Sequence, residues 1–271
     1  MKLGISTYTF TWAIGVQGYM PEKPLSVFDL IGKAAAYKVD SLQIADNMPM
    51  HEFDSMQLNS IKKYADNMGI SLEVGTRGLI MSNVLQYIEI AKILDSPFLR
   101  IVIDDKNFHP TTDEAILLIK ELVPHFQREN IVLALENHDR FLAAEFKYIL
   151  DSVGSTHLAI CLDSVNSMGA GEGFREVASL LEPYTVNLHI KDFNIKRVFH
   201  NMGLEIFGTP AGKGMMNIPE IISRLTQYEK CVSATLELWT PLQITAQETI
   251  SLEQEWADES IYYLKKIISK P

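Results

Sequence analysis

The chain has 271 residues, of which 47% are hydrophobic and 21% are charged, as in a globular protein with a full core. Its formal net charge of −10 argues against nucleic acids and anionic membranes as partners. No apolar leader and no run of about 18 apolar residues is present, so we expect a cytoplasmic protein that does not span a membrane. Cys161 and Cys231 lie in strand-like runs and are expected to be reduced thiols.

Short apolar runs typical of β-strands alternate with segments of helical periodicity along the whole chain. The predicted strands are 2–8, 41–46, 71–76, 98–104, 131–136, 157–163, 185–191 and 233–239. The clearest predicted helices are 25–37, 56–68, 84–94, 113–126, 218–228 and 253–268. Eight strand–helix units in a chain of this length favour a closed barrel with parallel strands. We therefore predict an α/β protein in which residues 1–271 form a single (β/α)8 TIM barrel domain.

An open doubly wound sheet is the alternative architecture, but it would more often carry a Gly-rich turn after the first strand, and residues 6–9 are not Gly-rich. The one long connection, 192–217, contains Phe193, Phe199, Met202 and Phe207 and is too apolar for a free surface loop. We expect this segment to act as a lid or as the contact of a homo-oligomer.

Successive side chains of a strand point to opposite faces, so the alternation indicates which residues face the inside of the barrel. Four polar residues are predicted to point inward at the C-terminal ends of the last four strands: Glu136, Asp163, His189 and Glu237. Active sites of this fold lie at that end. Three carboxylates that converge with an imidazole need a cation, so we predict one divalent metal ion, Mn, Mg, Co or Zn.

Any one of these residues could instead be a structural polar group whose hydrogen bonds are satisfied inside the barrel. That alternative explains all four poorly, because they lie at the ends of four consecutive strands. Glu73 and Arg100 point inward by the same alternation and are predicted to pair with each other. No cysteine belongs to the converging set, which argues against a closed structural zinc site.

The chain resembles the xylose isomerase-like barrel superfamily, the sugar phosphate isomerase and epimerase group. The resemblance covers most of the chain and rests on these segments: Ala134-Leu135-Glu136-Asn137-His138, Cys161-Leu162-Asp163-Ser164, Leu188-His189-Ile190-Lys191-Asp192, Pro210-Ala211-Gly212-Lys213-Gly214 and Leu236-Glu237-Leu238. It implies that Glu136, Asp163, His189 and Glu237 bind one divalent metal and that the two glutamates are also the catalytic acid/base groups. The implied function is a metal-dependent isomerase or epimerase of a small sugar or keto-sugar that works through an enediolate.

The chain departs from the ketose 3-epimerases of this group at three places. Leu142, Asp192 and Ile195 stand where those enzymes have an acidic residue, a Glu and an Arg, and Arg197 is displaced by two positions. The stretch from His189 to Phe193, together with Arg197, Met202-Gly203 and Pro210-Ala211-Gly212, is more similar to a branch that includes decarboxylases of 3-oxo sugar acids. That branch implies a carboxy-lyase on the same site.

Five further residues are predicted to contact the substrate: His138, Lys191, Arg197, Trp239 and Tyr8. Lys191 or Arg197 would hold a carboxylate, and Tyr8 and Trp239 would form an apolar wall for a sugar ring. Each also has a structural interpretation: an ion pair for Lys191, a solvated surface position for Arg197, a helix cap for His138, and core packing for the two aromatic residues.

The isomerase or epimerase and the carboxy-lyase remain open as functions, and a non-catalytic sugar-binding barrel is a third reading. All three predict a small sugar or sugar acid as the partner. The superfamily also contains apurinic endonucleases, but the acidic charge balance argues against a DNA-binding surface.

Overall fold

The structure, a computed structural model, describes residues 1–268. Its strands are β1 (Lys2–Ser6), β2 (Ser41–Ile44), β3 (Ser71–Arg77), β4 (Phe98–Val102), β5 (Val132–Glu136), β6 (Leu158–Asp163), β7 (Thr185–Ile190), β8 (Asp192–Arg197), β9 (Leu204–Thr209) and β10 (Ser233–Leu236). All strands except β8 and β9 pair in parallel and close into a barrel of eight in the order β1-β10-β7-β6-β5-β4-β3-β2. The predicted barrel is confirmed, and each predicted barrel strand is present.

The helices cover the outside of this barrel. They are α1 (Thr11–Ile14), α2 (Val27–Tyr37), α3 (Ser55–Met68), α4 (Met81–Leu94), α5 (Thr112–Glu129), α6 (Ala143–Val153), α7 (Phe174–Leu181), α8 (Ile218–Thr226) and α9 (Ala246–Ile268). Capping boxes begin α2 at Ser26, α3 at Asp54 and α5 at Thr111, because each of these side chains accepts the N–H three residues later. α9 begins seven residues before its predicted start.

The main hydrophobic core lies between the strands and the helices, and a small cluster of Phe98, Ala134 and Cys161 fills the barrel interior. Val186, which the alternation predicts on the helix side, packs against this interior cluster instead. The reason is local, since the pairing of β6 and β7 shifts its register next to Ile160.

The long connection predicted after the seventh barrel strand is an antiparallel hairpin of β8 and β9. Asp192 fixes its base, because this carboxylate accepts the backbone N–H groups of Gly212, Gly214 and Met216 at 2.9 to 3.1 Å. The side chains of Phe199 and other apolar residues near the turn are exposed. The lid and the oligomer contact therefore both stay predictions.

Two further expectations concern the chain as a whole. No helix within residues 1–268 is long and apolar enough to cross a membrane. Cys161 and Cys231 are both free thiols, and Cys161 is buried, in agreement with the sequence-based expectation.

Candidate metal centre and active site

A cavity of about 370 Å³ opens at the C-terminal end of the barrel strands, where active sites of this fold lie. Its charged and polar lining residues are Thr11, Arg77, Arg100, Glu136, His138, Asn166, Lys191, Glu237 and Thr240. The aromatic residues that line it are Tyr8, Trp12 and Trp239. A cavity of this size accommodates a small polar molecule such as a sugar derivative.

His189 lies fully buried beneath this cavity. Its Nε2 is 2.6 Å from Oε1 of Gln43, whose amide nitrogen donates to Glu73 and Asn187. Because the amide nitrogen of Gln43 is occupied as a donor, its oxygen faces the imidazole and accepts the Nε2–H of His189. Nδ1 is therefore the nitrogen that points away from Gln43, and this buried atom has no hydrogen-bond partner among residues 1–268.

Three carboxylates surround Nδ1 of His189, each from the end of a different strand. The distances from Nδ1 are 3.5 Å to Glu136, 3.7 Å to Asp163 and 3.5 Å to Glu237. The alternation of side chains brings these residues inward, and the parallel register sets Asp163 directly beside His189. The three carboxylates predicted as metal ligands thus all border Nδ1 of His189. Ligand atoms within 4.8 Å of one another form two groups that share His189, one with Asp163 and Glu237 and one with Glu136 and Cys161.

Each carboxylate is held in a fixed orientation by a second contact. Asp163 accepts two backbone N–H groups of the following turn, both at 2.8 Å. Glu136 accepts a hydrogen bond from the side chain of Asn166 at 2.8 Å, and Glu237 accepts one from the hydroxyl of Ser6 at 2.9 Å. Such contacts orient the oxygen atoms before any ion binds.

Lys191 supplies a buried positive charge to this cluster. Its Nζ lies 2.8 Å from Asp163 and 2.9 Å from Glu237. Burial alone would raise the pKa of Asp163, but Lys191 and His189 outweigh it and hold the pKa well below its usual range. The pKa of Glu237 is lowered in the same way, since His189 and Lys191 together overcome the effect of burial. Both carboxylates are therefore ionised at neutral pH.

Arg100 supplies a second buried positive charge. Its Nε contacts Glu136, and its Nη1 lies 2.8 Å from Asp46. The predicted pair of Glu73 and Arg100 is wrong: Arg100 extends toward the mouth of the barrel, whereas Glu73 lies deeper and accepts a hydrogen bond from Gln43 at 3.2 Å. Burial raises the pKa of Glu73, so its carboxyl group needs no cationic partner.

The residues present fit a divalent cation. An imidazole nitrogen without a hydrogen-bond partner faces three carboxylates. Burial lowers the pKa of His189, but Glu237 and Glu136 outweigh it and raise this pKa, so a positive charge is favoured at this point. Donors bonded to one ion at about 2.1 Å lie about 3 to 3.5 Å from each other, close to the separations between His189 Nδ1 and the three carboxylates. Oxygen ligands with one nitrogen suit Mn, Mg, Co or Zn.

Cys161 lies beside the same cluster, and its Sγ is within 4.8 Å of ligand atoms of Glu136 and His189. Burial raises the pKa of this thiol well above its ordinary value, and the thiol donates to Asn187 at 3.1 Å. A protonated thiol is a poor ligand. The set of ligands expected from the geometry therefore contains no sulfur.

An aromatic wall formed by Tyr8, Trp12 and Trp239 bounds one side of the cavity. The indole N–H of Trp12 donates to the carbonyl of Thr240 at 2.9 Å and ties the first βα loop to the last one. The hydroxyl of Tyr8 donates to Asp46 at 3.1 Å, and burial together with Asp46 raises the pKa of Tyr8. Tyr8 thus presents a neutral phenol beside the site.

Glu253 supports this wall from behind. Its carboxylate, carried by α9, accepts the backbone N–H groups of Trp12 at 2.9 Å and Ala13 at 3.0 Å. These donors lie in the first turn of α1, where no intrahelical acceptor exists. Burial raises the pKa of Glu253 to about 7.

Of the substrate contacts predicted from the sequence, four line the cavity: Tyr8, His138, Lys191 and Trp239. Arg197 does not line it. Arg197 ends the exposed strand β8, and its guanidinium donates to the carbonyl of Asn201 at 3.2 Å within the hairpin. The hairpin carries this side chain into solvent, so the location of Arg197 gives no support to the predicted substrate contact.

Sequence reasoning missed several residues of the site. Arg77 lines the cavity and has the same parity on β3 as Glu73, but the predicted strand ended at residue 76 and left Arg77 in a loop. Gln43, Asp46 and Asn166 are ordinary polar residues in the sequence. The alternation of the predicted strand 41–46 turns Gln43 inward, but no local signal gives the role of any of the three, because only their partners across the barrel make them part of the site.

The comparisons with known proteins agree with this architecture. Residues 33–267 match the family described as xylose isomerase-like TIM barrel. A 3-oxo-isoapionate decarboxylase of Pectobacterium atrosepticum is 32% identical over 264 residues, which cover 97% of this chain and 95% of that protein.

Solved structures with lower identity show the same fold. D-psicose 3-epimerase from Clostridium cellulolyticum H10, solved with D-tagatose, superposes with a TM-score of 0.74 at 17% identity, and the match covers 99% of this chain and 99% of that one. A xylose isomerase-like TIM barrel protein from Mycobacterium smegmatis in complex with magnesium has a TM-score of 0.72 at 11% identity and covers 97% of both chains. The relatives with a stated activity are enzymes, and the chain itself belongs to the xylose isomerase-like TIM barrel family.

Proposed function

We propose that this protein is a divalent-metal-dependent carboxy-lyase that releases carbon dioxide from a small 3-oxo sugar acid. The observation that carries the proposal is the lining of the cavity, where Arg77, Arg100 and Lys191 adjoin the carboxylate–imidazole cluster. Cationic side chains suit a substrate that carries a carboxylate. The similarity to a 3-oxo-isoapionate decarboxylase along nearly the whole chain supports the same class of reaction.

The residues that would hold the metal are Glu136, Asp163, His189 and Glu237. A divalent ion bound by them supplies a Lewis acid that stabilises negative charge on a substrate oxygen. Asp163 and His189 are fully buried and lie below the cavity, whereas Glu136 and Glu237 line it. The two glutamates are therefore the ligands that also reach the substrate.

In the proposed reaction the bond between the carboxylate carbon and its neighbour breaks, and carbon dioxide leaves. The electron pair stays on the substrate as an enediolate, which is conjugated with the former 3-oxo group, and the carbon then takes a proton. The ammonium of Lys191 faces the cavity and contacts Glu237 at 2.9 Å, so we assign the delivery of this proton to the Lys191–Glu237 pair.

An isomerase or epimerase is the second candidate, and one observation favours it. Glu136 and Glu237 lie on different strands, and each is 3.5 Å from the same nitrogen of His189. Two carboxylates on either side of one centre could remove a proton from a carbon and return one to it. This reaction needs no carboxylate on the substrate.

Solvent isotope uptake separates these functions. The protein is stripped with a chelator, reloaded with Mn, Mg, Co or Zn, and incubated in D2O with 3-oxo sugar acids and with neutral keto-sugars. A carboxy-lyase releases carbon dioxide only when loaded with metal and leaves one deuterium in the product. Deuterium exchange into a keto-sugar without carbon dioxide would instead support the isomerase. Stoichiometric metal binding with neither reaction on any substrate would contradict both enzymes and favour a sugar-binding barrel.

A further inference from the structure

Arg77 differs from the other two cationic residues of the cavity in how far neighbouring carboxylates neutralise its charge. Arg100 and Lys191 are buried, and each contacts two carboxylates. The side chain of Arg77 is 35% exposed, and its one carboxylate contact is Nε to Asp46 at 3.2 Å. Asp46 is already bonded to Arg100 at 2.8 Å. Asp46 therefore leaves Arg77 with positive charge that is not neutralised.

The outer edge of the Arg77 guanidinium has donors to spare. Within residues 1–268, hydrogen bonds engage only its Nε–H and one N–H of Nη2, which lies 3.3 Å from Nε2 of His138. A guanidinium has five N–H donors in one plane. Arg77 lines the cavity, and the three donors that remain on its guanidinium form the planar fork that matches the two oxygens of a carboxylate.

His138 is set up as an acceptor beside this fork. Its Nδ1 lies 3.0 Å from Asp139, so a carboxylate flanks that side of the ring. Nε2 faces Nη2 of Arg77, and because a guanidinium can only donate, Nε2 is the acceptor of this contact. His138 thereby fixes the orientation of the guanidinium without using up its charge.

The charge balance of the site points to an anionic ligand. A metal ligand imidazole is neutral, so with His189 neutral the side chains of the site are four carboxylates, of Asp46, Glu136, Asp163 and Glu237, and three cations, of Arg77, Arg100 and Lys191. They leave one net negative charge, which a divalent ion converts into one net positive charge. A ligand with a single carboxylate would make the loaded site neutral.

We infer that Arg77, held by Asp46 and His138, binds the carboxylate of the substrate in a bidentate manner and makes the site selective for sugar acids over neutral sugars. The inference rests on the proposed function, because it names the residue that recognises the acid. It assigns this role to the end of β3 and not to Arg197, which lies in the exposed hairpin. Lys191 is left free for proton transfer.

Binding of matched ligands tests this assignment without turnover. The probes are a four-carbon aldonate, erythronate, and the neutral alditol erythritol, which differ only in a carboxylate and a CH2OH group, measured by calorimetry on Mn-loaded protein. We expect Arg77→Gln to weaken erythronate binding roughly 10- to 100-fold and to leave erythritol binding unchanged. Arg77→Lys should fall between, because an ammonium lacks the planar fork.

Arg175→Gln is the control, since Arg175 is 84% exposed outside the cavity and its loss changes net charge equally. Metal content and melting temperature of each variant show that the fold is kept.

Unchanged erythronate binding by Arg77→Gln would overturn the inference, as would tighter Arg77-dependent binding of erythritol 4-phosphate than of erythronate. If erythronate binding depends on Arg77 but no 3-oxo acid loses carbon dioxide, the proposed reaction fails and the carboxylate site stands. If carbon dioxide is released and the KM of Arg77→Gln is normal, the reaction stands and the role of Arg77 fails.

Discussion

Gln43 accepts the Nε2–H of His189 at 2.6 Å and thereby turns the bare Nδ1 of the imidazole toward three carboxylates. The amide of Gln43 is held in turn by Glu73 and Asn187 deeper in the barrel. A residue of the second barrel strand thus determines which nitrogen of His189 is available to a metal.

Replacement of Gln43 should weaken metal binding without removing a ligand. We expect Gln43→Met to reduce the affinity for Mn by about 10- to 100-fold, since His189 loses the contact that fixes its tautomer and ring orientation. Titration calorimetry on chelator-stripped protein measures this. Gln227→Ala, an exposed position that follows α8, is the control. An unaltered Mn affinity in Gln43→Met would show that His189 needs no such support.

Glu237→Gln should leave the fold intact and abolish turnover. The amide keeps the volume of the side chain and the hydrogen bond from Ser6, but it loses the charge that contacts Lys191 and the capacity to exchange a proton. Loss of one general acid/base group reduces rates by about 10²- to 10⁴-fold. Carbon dioxide release by Mn-loaded protein measures this, with Glu205→Gln in the exposed hairpin as control. Near-normal rates would reject the acid/base role of Glu237.

Lys191→Met should destabilise the metal-free protein far more than the metal-loaded one. The ammonium is buried between Asp163 and Glu237, and breaking a buried ion pair costs about 3 to 5 kcal/mol when the opposite charge stays behind. A divalent ion would compensate the same carboxylates and restore part of this loss. Urea unfolding with and without Mn measures the loss of unfolding free energy in the metal-loaded and in the metal-free protein. Lys196→Met removes an exposed lysine that pairs with Glu205 and should have little effect in either condition. Equal destabilisation with and without Mn would contradict the expected compensation.

Glu253 should make the free energy of unfolding depend on pH. Burial raises its pKa from 4.5 to about 7, so the protonated form is favoured in the folded state. Its contribution is fully present below about pH 4.5 and is lost as the pH rises through 7, by about 3 kcal/mol in total. The hydrogen bonds from the backbone N–H groups of Trp12 and Ala13, and then the charge of Lys33, oppose the shift without cancelling it.

Glu253→Gln removes this ionisation, although its amide can accept only one of the N–H groups of Trp12 and Ala13. We therefore expect the variant to be less stable than the wild type at pH 5 and to regain about 2.5 kcal/mol relative to it by pH 8, because part of the total is already lost at pH 5. Urea unfolding across this range tests the expectation against Glu255→Gln, an exposed residue of the same helix. A stability difference that does not change with pH would show that Glu253 does not titrate in this interval.

The strands and the inward set of Glu136, Asp163, His189 and Glu237 could be predicted because both follow from local geometry. A strand alternates its side chains whatever lies around it, and the carboxyl ends of parallel strands meet at one edge. The alternation could not predict the partner of Arg100. Its guanidinium passes Glu73 and reaches Asp46 on a neighbouring loop, and the length and direction of a long side chain are not part of the pattern.

The sequence by itself determined the barrel and the residues that converge at its mouth, since the periodicity of the strands and helices and the alternation of strand side chains are properties of the chain. Only the tertiary structure decided that Gln43 orients His189, that Arg77 keeps unpaired charge at the cavity wall, and that Arg197 points away from it in a hairpin. These relationships join residues far apart in the chain. They depend on how the strands stagger around the barrel and on how the loops fold back, which no local pattern encodes.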